Sequence, residues 1–147
     1  MEKIFLRDKR INHCIACGAC QGNEGQCSQQ DDMAAILEKM IQADALVMAT
    51  PVYFYSIRGQ MKTLIGRTYA RDTEISNKQL CFIMTAAVSR KALQERTLEG
   101  FRGFMSCLPG AQRKGRHLRN GRLEYRGHQG QCRDAPSLCI WEAGVAK

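Results

Sequence analysis

Apolar residues follow two rhythms along this chain. At Met33, Ile36, Leu37, Met40 and Ile41 they recur at i, i+3, i+4, i+7 and i+8, the stripe of an amphipathic helix. Asp31 stands before that stripe as its expected N-cap. Residues 45–49, A-L-V-M-A, form instead a continuous apolar run, the mark of a strand buried on both faces of a parallel sheet, and Thr50-Pro51 stops it. A second helix is predicted over 60–69, with Met61, Leu64 and Ile65 inward. A second buried strand is predicted over 80–87 (L-C-F-I-M-T-A-A), and a third helix over 91–108 with Leu98, Phe101, Met105 and Leu108 on one side. Pro109-Gly110 ends that helix. Residues 3–6 read as a short opening strand. Strand and helix alternate, so the fold class is α/β, built from βαβ units with right-handed crossovers. After Gly110 the pattern dissolves: residues 111–133 show neither period 2 nor period 3.6.

Composition narrows the picture. A chain of 147 residues supports one domain and one core. Residues 1–10 are charged with no apolar stretch after them, and no run approaches the roughly 18 apolar residues of a membrane span. The expectation is a cytoplasmic protein with no membrane partner, where thiols stay reduced. Eight cysteines in such a compartment point to metal, cluster or redox chemistry. The net charge of +8 is uneven, with +5 of it in residues 111–147. Arg113, Lys114, Arg116, Arg119, Arg122 and Arg126, with Tyr125 among them, form a stretch able to neutralise phosphates. Nucleic-acid binding through this tail is kept as an alternative and disfavoured below.

Two motifs carry chemistry. Four cysteines, Cys14, Cys17, Cys20 and Cys27, are spaced C-x2-C-x2-C-x6-C in the predicted loop 13–28. The run T-P-V-Y-F-Y-S-I-R-G-Q-M-K follows the buried strand 45–49, at the carboxyl end where parallel sheets bind ligands. Taken alone, its aromatic turn reads equally as a cover for the sheet edge. The segment Thr50-Pro51-Val52-Tyr53, then Gly59-Gln60-Met61-Lys62 and Arg67, resembles the isoalloxazine-binding loop of the NADPH-dependent FMN reductase family. The cysteine loop followed by Asp31-Asp32-Met33 resembles that family's iron–sulfur flavoprotein branch. The resemblance spans about residues 2–110. Gly66 departs from it, because the family usually has Asp before Arg67, and this places the stability of the helix end in question.

The resemblance implies a flavodoxin-like, doubly wound parallel sheet of strand order 2-1-3-4-5, with FMN at the switch point. It implies hydride transfer from NAD(P)H to FMN and onward passage of single electrons through a cluster to a small-molecule or protein acceptor, in a homo-oligomer. Thr50, Pro51, Val52, Tyr53, Phe54 and Tyr55 would line one side of the flavin. Thr85, Ala86, Ala87 and Val88 would line another, and no acid–base residue is required. Two successive C-x2-C steps let three thiolates wrap one face of an iron–sulfur cube, and Cys27 can close the fourth corner of a [4Fe–4S] cluster. Gly18, Gly22 and Gly25 permit the turns. A zinc knuckle, or cysteines without metal, are the alternatives. Cys81 and Cys107 are expected as core thiols, and His13 as a solvated loop residue. An electron carrier of ferredoxin type, using the cysteines alone, is the competing function.

Against that family the sheet is expected to be incomplete. The chain begins where the family's second strand begins, so the first strand and its phosphate loop are missing, FMN affinity is expected to be low, and the centre of the sheet is lost. Residues 1–110 are read as a partial domain and 111–147 as a basic tail whose last strand is doubtful. Read one base out of register, codons from Gly115 onward permit G-V-I-Y-G-T-G-A-W-N-I-G-D, which resembles the family's last strand. A frame-shifted tail accounts for its arginines, and it is expected outside the core.

Overall fold

A computed structural model of the chain describes residues 2–87, 91–120 and 137–141. In chain order these form β1 (Glu2–Phe5), α1 (Met33–Gln42), β2 (Ala45–Tyr53), β3 (Ser56–Ile57), α2 (Gly59–Arg67), β4 (Gln79–Ala86), α3 (Lys91–Ser106), β5 (Gln112–Asn120) and β6 (Ser137–Trp141). Each element predicted from periodicity is present, with shifts at its ends. The helix start differs most. Asp32 occupies the cap position and its carbonyl accepts the Ile36 N–H at 3.2 Å. Asp31 stands one residue earlier, where its carboxylate accepts the Met33 N–H at 3.1 Å and serves other partners besides. β2 also runs past Pro51 to Tyr53. Among the described residues its pairing with β6 runs from Ala45 to Ala49, short of the proline.

Among the described residues the sheet has the order β1-β6-β2-β4-β5, with β3 folded back antiparallel on β2. The other pairings are all parallel. Alternation along β2 and β4 sorts their side chains to opposite faces. Leu46, Met48, Leu80, Phe82 and Met84 join Met33, Ile36, Leu37 and Met40 of α1, Met61, Leu64 and Ile65 of α2, and Leu98, Phe101 and Phe104 of α3 in one core. Phe82 and Phe101 stack with centroids 4.5 Å apart and planes 11° apart. Val47 and Cys81, with Ile83 packed against them, form a small cluster of their own. Cys81 is buried as expected, whereas Cys107 is exposed just beyond the end of α3. Gly66 lies on the exposed side of α2, and the helix continues through it to a buried Arg67.

The tail corrects two expectations. Gln112–Asn120 pairs parallel with β4 as an edge strand, with a register shift opposite Leu80/Cys81. Ser137–Trp141 (S-L-C-I-W) inserts between β1 and β2, pairing Ile4 with Ile140 and Val47 with Cys139. The place in which the family order puts a first strand is thus filled by a strand from the other end of the chain. An open seam there would leave two rows of backbone donors and acceptors unpaired beside the core, and any short apolar segment able to reach it satisfies both. β5 joins at the margin of the described sheet through its backbone ladder with β4.

Candidate functional site: an aromatic hairpin and a four-cysteine loop

At the carboxyl end of β2 the chain reverses through a two-residue turn. Val52 pairs with Ile57 and Tyr53 with Ser56. The turn residues are Phe54 and Tyr55, with φ of 49° and 59°. Positive φ at both central positions is the geometry that Asn-Gly normally supplies, and aromatic residues adopt it only under constraint. The hairpin is held from below. Buried Thr50 donates its hydroxyl to the Pro51 carbonyl at 3.0 Å and accepts the Arg58 N–H at 3.4 Å. Ile57 packs so near Gly100 of α3 that a Cβ there would lie 3.0 Å from it. Phe54 is fully exposed, while Tyr53 and Tyr55 are about half exposed and each lies beneath a guanidinium, of Arg58 and Arg96 respectively. Pro51 is in register with Thr85, so Thr50, Pro51, Val52, Tyr53, Phe54 and Tyr55 stand beside Thr85 and Ala86, with Ala87 following the strand. Val88 lies outside the described residues. Rings offered at the carboxyl end of parallel strands suit a flat ligand.

The cysteine loop leaves β1 and returns to α1 through a narrow neck. Arg10 and Asp32 exchange two bonds, the Asp32 N–H to the Arg10 carbonyl at 3.0 Å and the Arg10 N–H to the Asp32 carboxylate at 2.7 Å. The Asn12 N–H reaches Asp31 Oδ2 at 2.9 Å, and Gln29 donates to the His13 carbonyl at 2.9 Å. Arg67, from the end of α2, closes the neck. It holds Asp31 with two bonds of 2.7 and 3.1 Å and donates to the Asn12 carbonyl at 2.7 Å. Both side chains are buried. Burial opposes ionisation of Asp31, but hydrogen bonds from Arg67, Asn12 and Met33 outweigh it and hold the carboxyl below its ordinary range. Within the loop Gly18 and Gly25 have φ of 70° and 77°, whereas Gly22 has neither positive φ nor a neighbour within 4 Å. Two of the three expected glycine turns therefore require glycine.

Cys14 and Cys17 are exposed, Cys20 and Cys27 half-buried, and all four thiols are free. The Ala16 N–H approaches the Cys14 sulfur at 3.4 Å. The Ala19 N–H, and then the Ser28 hydroxyl at 3.6 Å, lower the Cys17 thiol below its ordinary range. Among the described residues no three Cys, His, Asp or Glu side chains converge closely enough to hold a metal ion as they stand. The donor set is nonetheless of the type a thiolate-bound group takes: four free thiols in one loop, with Cys14 and Cys17 already facing hydrogen-bond donors. Cys14, Cys17, Cys20 and Cys27 are the residues to hold it. Sequence reasoning placed Arg67 in a motif and Asp31 at a cap, and missed that they pair. No periodicity joins residues 36 positions apart. The basic-tail residues Arg122, Tyr125 and Arg126 lie outside the described residues, and no described helix is long and apolar enough to cross a membrane.

Residues 1–112 match the family described as NADPH-dependent FMN reductase. An iron–sulfur flavoprotein of Methanocaldococcus jannaschii is 36% identical over 105 residues, covering 70% of this chain and 53% of that protein. One from Methanosarcina thermophila is 31% identical over 107 residues, covering 71% and 55%. The chain thus spans about half the length of these curated relatives. Among solved structures, the Trp repressor binding protein from Bacillus subtilis aligns with a TM-score of 0.57 at 24% identity, covering 62% of this chain and 64% of that one, a likeness of fold.

Proposed function

The chain belongs to the NADPH-dependent FMN reductase family, and from that premise we propose that it acts in an FMN-dependent NAD(P)H oxidoreductase whose four-cysteine loop holds a [4Fe–4S] cluster. The observation that supports this reading best is physical continuity. One nine-residue helix, α2, begins beside the aromatic hairpin and ends with Arg67 clamped on the cysteine loop. A flavin at the hairpin and a cluster in the loop would be held at fixed separation by a single rigid element. Bound FMN supplies the exchange between paired and single electrons. The chain's own part is to position it. Thr50, Pro51, Val52, Tyr53, Phe54 and Tyr55 would offer backbone and ring faces to one side of the isoalloxazine, and Thr85, Ala86 and Ala87 would line another. No side chain is assigned proton transfer. The final electron acceptor is a small molecule or protein in a reducing compartment.

Anaerobic purification followed by iron, sulfide and zinc analysis, FMN fluorescence titration and an NAD(P)H oxidation assay tests this. Expected are about four iron and four sulfide per chain, saturable flavin quenching and NAD(P)H turnover. Stoichiometric zinc with less than about one iron per chain overturns the cluster assignment. A cluster present with no flavin binding at any concentration overturns the reductase assignment and favours an electron carrier.

A further inference from the structure

Each tyrosine of the β2–β3 hairpin lies under a guanidinium. Arg58 Cζ stands 5.9 Å from the centroid of the Tyr53 ring, and Arg96 Cζ stands 5.8 Å from that of Tyr55. The two tyrosines are two positions apart, so their Cα atoms lie within about 7 Å of one another. Fully exposed Phe54 stands between them. A guanidinium stacked on a ring uses its face, and its N–H fork lies in the plane, directed outward, where it matches the oxygens of a phosphate. The fold sets both arginines in place. Arg58 directly precedes α2, and its backbone N–H donates to the Thr50 hydroxyl at 3.4 Å. Arg96 shares one side of α3 with Gly100, four residues on, and Gly100 is where α3 comes close against Ile57 of β3. Arg96 is exposed. The acids nearest to it along α3, Glu95 and Glu99, both pair with Arg102.

We propose that Arg58 and Arg96 form a subsite for a phosphate monoester at the rim of the hairpin, taking the phosphate of a ligand whose ring lies against Tyr53, Phe54 and Tyr55. The proposal rests on the flavin and nicotinamide part of the reading above and is independent of the cysteine loop. Two ligands in that reading join a flat ring system to a phosphate monoester: FMN at its ribityl end and NADPH at its adenosine ribose. The aromatic rings take the planar part and the two cations take the charge. Hydrogen bonds from guanidinium to phosphate are charge-assisted and frequently paired, which makes them shorter and stronger than neutral ones. The positive φ at Phe54 and Tyr55 sets where the Tyr55 ring meets Arg96, and backbone strain of this kind collects where ligands are clamped.

The test uses the full chain and two pairs of probes that differ only in the phosphate monoester: FMN against riboflavin, and NADPH against NADH. Dissociation constants come from fluorescence titration at one ionic strength, with a thermal melt for each protein. The wild type is compared with Arg96→Met, Arg96→Lys and Arg58→Met. The wild type should bind the phosphorylated member of one pair more tightly. Arg96→Met and Arg58→Met should each lower that preference about tenfold, and Arg96→Lys, which keeps the charge without the fork, about threefold. Binding of the unphosphorylated member should not change. Movement of the FMN-to-riboflavin ratio assigns the subsite to the flavin phosphate, and movement of the NADPH-to-NADH ratio assigns it to the dinucleotide. A merely structural role weakens both members of a pair alike, so that result, or ratios that stay fixed in every variant, overturns the proposal and leaves the reductase reading intact. If Arg58→Met does not fold, the exposed position of Arg96 carries the test. A wild-type chain that binds none of the four probes overturns both.

Discussion

At the scale of single residues, the consequential pair is Asp31 with Arg67. Each is nearly inaccessible, so removing one partner strands a buried charge, which costs about 3–5 kcal/mol. Arg67→Met should lower the urea midpoint by a corresponding amount, with Arg67→Lys intermediate. The pair also sets an acid limit. The folded-state pKa of Asp31 lies below its unfolded value, so its stabilisation is fully present above about pH 4 and is lost as the pH falls through the folded value. Urea unfolding from pH 7 down to pH 2.5 should show a steep acid loss in the wild type that is shallower in Asp31→Asn. Two glycines in the cysteine loop offer a sharper contrast. A Cβ on Gly25 would lie 2.5 Å from Arg71 Cγ and 2.9 Å from the Ala70 carbonyl, at a φ of 77°, whereas Gly22 has open space. Gly25→Ala is expected to cost about 1–3 kcal/mol and Gly22→Ala close to nothing, as measured by thermal melts.

At the scale of elements, the β2–β3 hairpin is a turn in conflict with its own sequence. Phe54 and Tyr55 hold a conformation suited to Asn-Gly, and the strain sits where the flavin is proposed to bind. Replacing them with Asn and Gly should raise the melting temperature, since each relieved position is worth about 1 kcal/mol. The same change should weaken FMN binding, measured by fluorescence. A variant that is more stable and binds FMN unchanged would place the flavin elsewhere. The helices are better matched to their sequence, because the apolar stripes that define α1, α2 and α3 are the faces that join the core.

At the scale of the whole molecule, the decisive feature is β6. A five-residue strand occupies the central seam between β1 and β2, while β5 lies at the margin. Central ladders exchange their amide protons through opening of the whole sheet, marginal ones through local fraying. Amides of Leu138, Cys139 and Ile140 should therefore be protected as strongly as Val47 and Ile83, with β5 less protected than β4. Exchange of Leu138 to Ile140 at the rate of a free chain end would show that the seam is filled by something else.

Local rhythm alone was enough to specify β2, β4 and the three helices, because burial imposes a period on each that the residues must match. The cysteine spacing and the T-P-V-Y segment likewise marked the two candidate sites, since both motifs are written in adjacent residues. Three things were decided only by the tertiary structure. The Asp31–Arg67 clamp joins two segments that no short-range pattern relates. The strained aromatic turn depends on Thr50 and on α3 beneath it. The place of Ser137–Trp141 is set by pairing with β1 on one side and β2 on the other. Arg67 becomes the partner of Asp31, and β6 a central strand, through contacts between distant segments, and a charge or an unpaired backbone edge selects its partner by proximity in space, which sequence periodicity does not encode.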